Sequence, residues 1–201
     1  MAAIRPFRSG DEAALAEICL RTADAGADAT GILADDGLWA RLFVLPYAAR
    51  HPDLAFVVET DDGRVAGYVV ATDDTRAFEA WFRAEWWPRF SADRARADAE
   101  GAVPSRQAAL LASADARGAG PVPFADDYPA HLHVDLLPEL QGQGWGRRLI
   151  DTLVDALRAR GVTGLHLEAD ARNAGAVAFY PRIGFTRLAS EPGVVAFGRT
   201  L

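Results

Sequence analysis

Residues 141–146 form a glycine-rich loop whose backbone is suited to bind an anion. Three of its six residues are glycines, which let the chain turn tightly and let another group approach the backbone closely. Two arginines follow directly, and the apolar residues after them recur at helical spacing. The free N–H groups of such a helix's first turn, the helix dipole and the arginines together favour a phosphate group. The loop therefore predicts a site for a phosphate-bearing ligand, with candidate contacts at Gln141, Gly142, Gln143, Gly144, Trp145, Gly146, Arg147 and Arg148.

A dinucleotide-binding loop is one interpretation of these glycines. That loop has the pattern G-x-G-x-x-G directly after a strand. Counted from Gly142, its third glycine would fall at position 147, where the chain has Arg147, and residues 138–141 separate the strand from the first glycine. A turn that joins a strand to a helix without any ligand is another interpretation.

A strand before the loop and a helix after it must hold the loop in place. Residues 131–137 are rich in apolar and β-prone types, and Pro138 ends the strand because it cannot donate to a sheet ladder. After the loop, one apolar helical face is predicted, and Gly161 is a suitable stop. That face consists of Leu149, Ile150, Leu153, Val154 and Leu157.

The rest of the chain predicts a single domain over residues 1–201. Asp62-Gly63 stands between two β-rich runs, which is typical of a hairpin. Residues 74–127 form an insertion with aromatic residues near helical spacing, and they predict either a helical hairpin packed on the body or a lid. Further strands are predicted at 3–8, 54–60, 64–71, 164–170, 186–190 and 194–199, and helices at 38–49 and 176–180.

Composition narrows the classes of function. A net charge of −7 argues against a general nucleic-acid binder. The one cysteine, Cys19, excludes an internal disulfide and lies in a helical apolar stripe. No apolar run of membrane-spanning length and no signal peptide is evident, so we expect a cytoplasmic protein that does not bind membranes. His131 and His133 lack a third ligand at a recognisable spacing, so we expect no metal.

The glycine loop resembles the pyrophosphate loop of the GNAT (GCN5-related) N-acetyltransferases, Q/R-x-x-G-x-G/A, which Gln141, Gly144 and Gly146 fill. A later stretch, from Asn173 to Phe185, resembles that family's N-x-x-A-x-x-x-Y-x-x-x-G-F signature. The resemblance implies the α/β (α+β) fold of the family, in which helices flank a central, mixed, mostly antiparallel sheet of about seven strands. The 74–127 insertion would then lie between the third and fourth strands. It also implies transfer of an acetyl group from acetyl-CoA to a primary amine.

The resemblance further implies roles for individual residues. The backbone of Leu136 would bond the pantetheine arm, Asn173 would contact the same arm, and Tyr180 would lie by the thioester sulfur as general acid. Asp135, which directly precedes Leu136, is our first choice for the general base that accepts the amine's proton. The other implied contacts with acetyl-CoA are Leu137 and Phe179, and the alternative bases are His133, Glu168 and Asp170.

Two features of the sequence complicate these roles. Pro181, directly after Tyr180, deprives that turn of an N–H group, which leaves the direction of the hydroxyl open. By strand alternation Asp135 shares a face with His131 and His133, and a bulge in the strand would change that face. An acetyl-CoA-binding pseudo-acetyltransferase, acting as a sensor or an interaction module, therefore stays an alternative to the enzyme.

Five further segments resemble the acetyltransferase-like domain of O-GlcNAc hydrolases and its stand-alone bacterial relatives. The animal domain lacks the glycine loop, whereas this chain has it. The resemblance implies the fold more directly than a substrate, so a protein lysine, an amino sugar and a small amine all remain open as acceptors, as does a homodimer. The five segments are 19–22, 62–68, 128–132, 179–184 and 194–201.

Overall fold

A computed structural model describes residues 2–90 and 105–201. Its described strands form one seven-stranded sheet in the order β1-β2-β3-β4-β5-β7-β6. Neighbouring strands are antiparallel except β4 and β5, which are parallel. The predicted fold class is therefore confirmed. The strands are β1 (Ala3–Pro6), β2 (Ala55–Glu59), β3 (Val65–Thr72), β4 (Ala130–Leu136), β5 (Gly164–Asp170), β6 (Thr186–Arg187) and β7 (Val194–Thr200).

Helices flank the sheet, and the one after the glycine loop follows the predicted apolar pattern. All five apolar residues predicted for its face are at most 1% exposed. No helix within the described ranges is both long and apolar enough to span a membrane. The helices are α1 (Glu12–Leu20), α2 (Gly37–Phe43), α3 (Leu45–Arg50), α4 (Thr75–Trp81), α5 (Ser105–Ala116), α6 (Trp145–Ala159) and α7 (Ala174–Arg182).

Strands β4 and β5 separate soon after they meet. They pair only at Ala130 with Leu165 and at His131 with His166. On its other side β4 keeps an unbroken register with β3 from Thr72–His131 to Gly67–Leu136, so no bulge interrupts this pairing. The result is a gap in the sheet between the later residues of β4 and β5.

The free edge of β4 in this gap consists of backbone groups that point away from β3. Leu137 N–H donates to the carbonyl oxygen of Ala66 at 2.9 Å, which fixes the phase of the antiparallel ladder. Because hydrogen-bonded and non-hydrogen-bonded positions alternate, the N–H and C=O groups of Val134 and Leu136 face the gap. The gap therefore offers an extended ligand a strand edge to pair with.

The single helix predicted over 38–49 is wrong, because the chain forms α2 and α3 with a break at Val44. Pro46 lacks the N–H group that would bond the carbonyl oxygen of Leu42 in a continuous helix. That oxygen instead accepts a hydrogen bond at 3.1 Å from the Arg117 guanidinium, which lies beyond α5. The helix break thus supplies a contact that ties the insertion to the body.

The described part of the insertion packs on the body through its aromatic side chains. Phe78 and Phe82 are fully buried, and Arg117 lies over the Phe82 ring with its Cζ atom 3.8 Å from the ring centre. The Arg117 guanidinium also pairs with both carboxylate oxygens of Glu79, at 2.8 and 2.5 Å. Residues 91–104, which belong to the predicted 74–127 insertion, lie outside the described residues. Trp81, Trp86 and Trp87 are also buried.

Candidate functional site at the strand gap

Two cavities lie along the gap, and successive stretches of β4 line them. The loop cleft has a volume of about 490 Å³ and is lined by Val134, Asp135 and Leu136. The far cavity has a volume of about 470 Å³ and is lined by Leu132 and His133. No described residue lines both cavities. The loop cleft also contains Thr22, Ala25, Gly26, Leu140, Gln141, Gly142, Gly144, Trp145, Gly146, Arg147, Asn173, Gly175, Ala176, Phe179 and Tyr180.

The glycine loop presents its backbone to the loop cleft. Gly144 is the N-cap of α6 in the left-handed conformation (φ 80°, ψ 4°), and no side chain caps the helix. A Cβ atom at Gly144 would have no neighbour within 4 Å, so the loop is open on this side. The Gln141 side chain donates to the carbonyl oxygen of Leu136 at 2.9 Å and ties the loop to β4. An open, uncapped helix start beside Arg147 favours a phosphate group.

Three residues predicted as ligand contacts lie outside the lining of the loop cleft. Leu137 is only 3% exposed. The Gln143 side chain donates to the carbonyl oxygen of Glu139 at 2.5 Å. Arg148 donates to the carbonyl oxygen of Gln143 at 3.1 Å, and its Cζ atom lies 3.5 Å from the centre of the Trp145 ring. These side chains hold the shape of the loop.

Asn173 begins helix α7 at the edge of the loop cleft. Its Oδ1 accepts a hydrogen bond from the Ala176 N–H at 2.9 Å, so Asn173 is the N-cap of this helix. A Cβ atom at Gly26 would lie 3.0 Å from Asn173 Nδ2, so the loop that follows α1 packs closely on the cap. Sequence reasoning missed this loop, whose residues Thr22 and Ala25 also line the cleft.

The end of α7 fixes the position of Tyr180. Phe185 N–H donates to the carbonyl oxygen of Tyr180 at 3.1 Å, and Gly184 N–H donates to that of Pro181 at 3.3 Å. With Gly184 at φ 89°, these bonds form a Schellman motif. The usual apolar contact is also present, since the Phe185 and Tyr180 rings lie 5.6 Å apart. The helix continues through Pro181, which cannot donate the N–H bond that a helix would direct to the carbonyl oxygen of Val177.

Tyr180 and Asp135 both line the loop cleft, where burial moves the pKa values of their side chains away from those in water. Tyr180 is 7% exposed, and its burial, together with the charge of Asp135, raises the pKa of its hydroxyl. Burial also raises the pKa of the Asp135 carboxyl, against hydrogen bonds from Tyr68 and Thr22 that oppose the rise. Tyr68 stands directly opposite Asp135 in the β3–β4 register and donates to its Oδ2. Tyr180 therefore keeps its proton at neutral pH, while Asp135 becomes a stronger base than an exposed carboxylate.

The alternative bases lie in different surroundings. Asp170 pairs with Arg172 at 2.7 Å, and this contact lowers the pKa of Asp170, which makes it a weaker base. Glu168 lines the far cavity, and burial raises the pKa of its carboxyl. The Tyr47 hydroxyl contacts two histidines. It lies 3.1 Å from His133 Nε2 and 2.6 Å from His131 Nε2.

The histidines of β4 are neutral at physiological pH. Burial lowers the pKa of His133 to about 3 and holds the pKa of His131 well below its usual range. His131 is 9% exposed, and its Nδ1 atom lies 2.9 Å from the Thr75 hydroxyl. Within the described residues, no three His, Cys, Asp or Glu side chains are grouped so that they could hold a metal ion.

Acid should destabilise the fold through His133. Below pH 6.5 the unfolded chain binds a proton at this residue, whereas the folded chain stays neutral there until about pH 3, so stability is lost as the pH falls through this range. The loss between pH 6.5 and 5 should be about 2 kcal/mol. We expect the loss of stability between these two pH values, measured by urea unfolding, to be smaller by that amount in His133→Gln than in the wild type. An equal loss in both proteins would contradict the assignment.

A mixed sheet whose fourth and fifth strands separate, with an uncapped glycine loop directly after the fourth strand, is the arrangement of an acetyltransferase fold. The chain belongs to the acetyltransferase (GNAT) family, whose model matches residues 28–185. Structural comparison gives the same assignment. The crystal structure of SsHAT superposes with a TM-score of 0.87 at 38% identity, over 99% of this chain and 98% of that one.

Two further relatives are more distant. The [ribosomal protein bS18]-alanine N-acetyltransferase of Escherichia coli K12 is 50% identical over 48 residues, which are 24% of this chain and 32% of that protein. The chain thus matches about a third of the length of this curated relative. The PaiA N-acetyltransferase of Thermoplasma acidophilum, solved in complex with coenzyme A, superposes with a TM-score of 0.61 at 13% identity, over 100% of this chain and 99% of that one. This second likeness is one of fold.

Proposed function

We propose that the protein is an N-acetyltransferase that moves an acetyl group from acetyl-CoA directly to a primary amine. The observation that carries this proposal is the free edge of β4 beside an uncapped glycine loop. An extended pantetheine arm needs backbone partners such as Leu136, and a pyrophosphate needs N–H groups such as those at Gly144 and Gly146. The coenzyme A complex of the PaiA relative supports the same class of donor.

The groups around the gap are those that the transfer requires. The amine nitrogen attacks the carbonyl carbon of the thioester, so a C–N bond forms and the C–S bond breaks. Asp135 accepts the proton of the amine, and Tyr180 gives its proton to the departing sulfur. Passage of the proton from Asp135 to Tyr180 then restores both residues. The N–H of Leu136, which faces the gap, is the donor for the carbonyl oxygen as negative charge develops on it.

Cys19 takes no part in this scheme. It is 3% exposed, and burial raises the pKa of its thiol, so it lacks both the access and the charge of a nucleophile. Direct transfer within a complex of both substrates is therefore the simpler route. We also propose kinship with the acetyltransferase-like domain of O-GlcNAc hydrolases, which rests on the five sequence segments alone and gives no acceptor.

Calorimetric titration of the protein with acetyl-CoA tests the donor, with NADH as the control ligand. We expect acetyl-CoA to bind and NADH not to bind, because Arg147 stands where a dinucleotide loop has glycine. Acetyl-CoA binding without any acetylated product across a panel of amines would favour the pseudo-acetyltransferase. Absence of binding at millimolar acetyl-CoA would reject the proposal.

Asp135→Asn should lower kcat by about 10²-fold, because the amide cannot accept the proton of the amine. The affinity for acetyl-CoA should stay within about twofold, since the substitution keeps size and shape and leaves the loop intact. The matched control is Asp170→Asn, which removes a carboxylate that is already paired with Arg172. Equal loss of kcat in the two variants would remove Asp135 from the mechanism.

A further inference from the structure

The wall of the far cavity contains an aromatic residue with a strained backbone. Phe124 has φ 64°, a conformation that bulky side chains rarely adopt and that costs about 1–3 kcal/mol. Its carbonyl oxygen accepts hydrogen bonds from the N–H groups of Asp127 and Tyr128, at 3.2 and 2.8 Å, which hold this conformation. The ring is half-buried and lies 5.8 Å from the ring of His166, so it faces the cavity and not the core.

One carboxylate in the far cavity has no partner. The carboxylate of Glu168 lines this cavity and makes no hydrogen bond or ion pair with any described residue. The other carboxylate of the cavity, Glu79, is neutralised by Arg117 through two contacts. Since His131 and His133 carry no charge at neutral pH, the cavity has one unbalanced negative charge.

One side of the far cavity is apolar, while polar side chains that include Thr75 and Ser113 line the rest. Its volume of about 470 Å³ lies at the lower end of the range of about 300–1,000 Å³ for small-molecule sites. The segment after α5 contributes further apolar residues to the wall beside Phe124. Apolar side chains of this wall are Phe43, Pro121, Val122 and Pro123.

We propose that the far cavity binds the acceptor amine as a small molecule with one ammonium group on an apolar body of about the size of a ring. Glu168 pairs with the ammonium as the molecule enters, and Phe124 covers the apolar body. Once this nitrogen has released one proton to water, it reaches the thioester as the neutral amine, whose second proton Asp135 accepts. This inference rests on the proposed function and names the substrate class of that site. The strain at Phe124 is then the cost of turning an aromatic ring toward the acceptor.

Other amines fit the cavity less well. An amino sugar would lose hydrogen bonds to water at each hydroxyl group that lies against Phe124 or the neighbouring prolines. A polyamine would bring a second ammonium, for which the described lining has no second unpaired carboxylate. A lysine stem is unbranched and would leave much of the volume unfilled.

Calorimetric titration with 2-phenylethylamine in the absence of acetyl-CoA tests the site directly. We expect Phe124→Asn to weaken binding at least tenfold, because the ring is lost, while Tm stays equal or rises, because asparagine tolerates the left-handed conformation. Glu168→Gln should weaken binding about tenfold through the loss of a charged hydrogen bond. The matched control is Asp126→Asn, an acid of the same segment that lies outside the far cavity and pairs with Arg76.

Several outcomes would overturn the inference. One such outcome is an unchanged affinity of Phe124→Asn for 2-phenylethylamine. If the Tm of this variant also falls, the Phe124 ring contributes to the stability of the fold and not to binding. Tighter binding of glucosamine, spermidine or a lysine peptide by the wild type would reject the substrate class. The affinity for acetyl-CoA, measured on the same proteins, separates the two proposals. A protein that binds 2-phenylethylamine but not acetyl-CoA would reject acetyl-CoA as the donor and would leave the amine site supported.

Discussion

Acetyl-CoA should bind about 100-fold or more weakly to Gly144→Glu than to the wild-type protein. Position 144 faces the open side of the glycine loop, where a Cβ atom would meet nothing within 4 Å, so the new side chain enters the space that we propose for the pyrophosphate. A unit charge about 6 Å from one phosphate charge costs about 3 kcal/mol at an effective dielectric constant of 20, which corresponds to about 100-fold. Calorimetric titration with acetyl-CoA measures the change.

Gly161→Glu is the matched control for this variant. Gly161 follows the other end of α6, has φ 75° and also has no neighbour within 4 Å of a Cβ atom, so the substitution introduces the same charge and a similar backbone strain. We expect Gly161→Glu to lose stability but keep its affinity for acetyl-CoA. If both variants lose affinity equally, the effect comes from the fold and not from the loop.

Tyr180→Phe should lower kcat by about 10²–10⁴-fold, the usual contribution of a general acid. The rings of Phe179, Phe185 and Phe197 surround Tyr180 at 5.2–5.6 Å, and a phenylalanine keeps these contacts. The affinity for acetyl-CoA should therefore change little. Single-turnover measurements at saturating acetyl-CoA separate this loss of chemistry from a loss of binding.

Tyr128→Phe serves as the comparison, because it deletes the same hydroxyl from a tyrosine that lines neither the loop cleft nor the far cavity. We expect its kcat to stay within about twofold of the wild type, in contrast to the 10²-fold or greater loss at a general acid. A Tyr180→Phe variant with wild-type turnover would show that Tyr180 only packs in the cleft. The departing sulfur would then be protonated by another group.

The parts of the site that depend on local sequence were predictable. Glycines at 142, 144 and 146, a proline that ends the strand and a regular apolar helix are all neighbours in the chain, and the N-cap role of Asn173 needs only the residues that follow it. The break at Val44 also had a local signal, because Pro46 removes an N–H group from any helix that crosses it. The single-helix prediction gave too little weight to that proline.

The parts that depend on contacts distant in sequence were not predictable. The separation of β4 from β5 is a matter of register between strands, which no single stretch encodes. The environment of Asp135 depends on Tyr68 and Thr22, from a strand and a loop far earlier in the chain. The left-handed conformation of Phe124 runs against the preference of its residue type, so only the fold reveals it.

Among the residues that the structure describes, none lines both the loop cleft and the far cavity, and this has an evolutionary consequence. The cleft that we propose for the donor is built from the glycine loop, α7 and the later residues of β4, while much of the cavity that we propose for the acceptor comes from residues 117–124. Substitutions in that segment alter one half without touching the other. Evolution or redesign can therefore change the acceptor specificity of the chain while its donor stays the same.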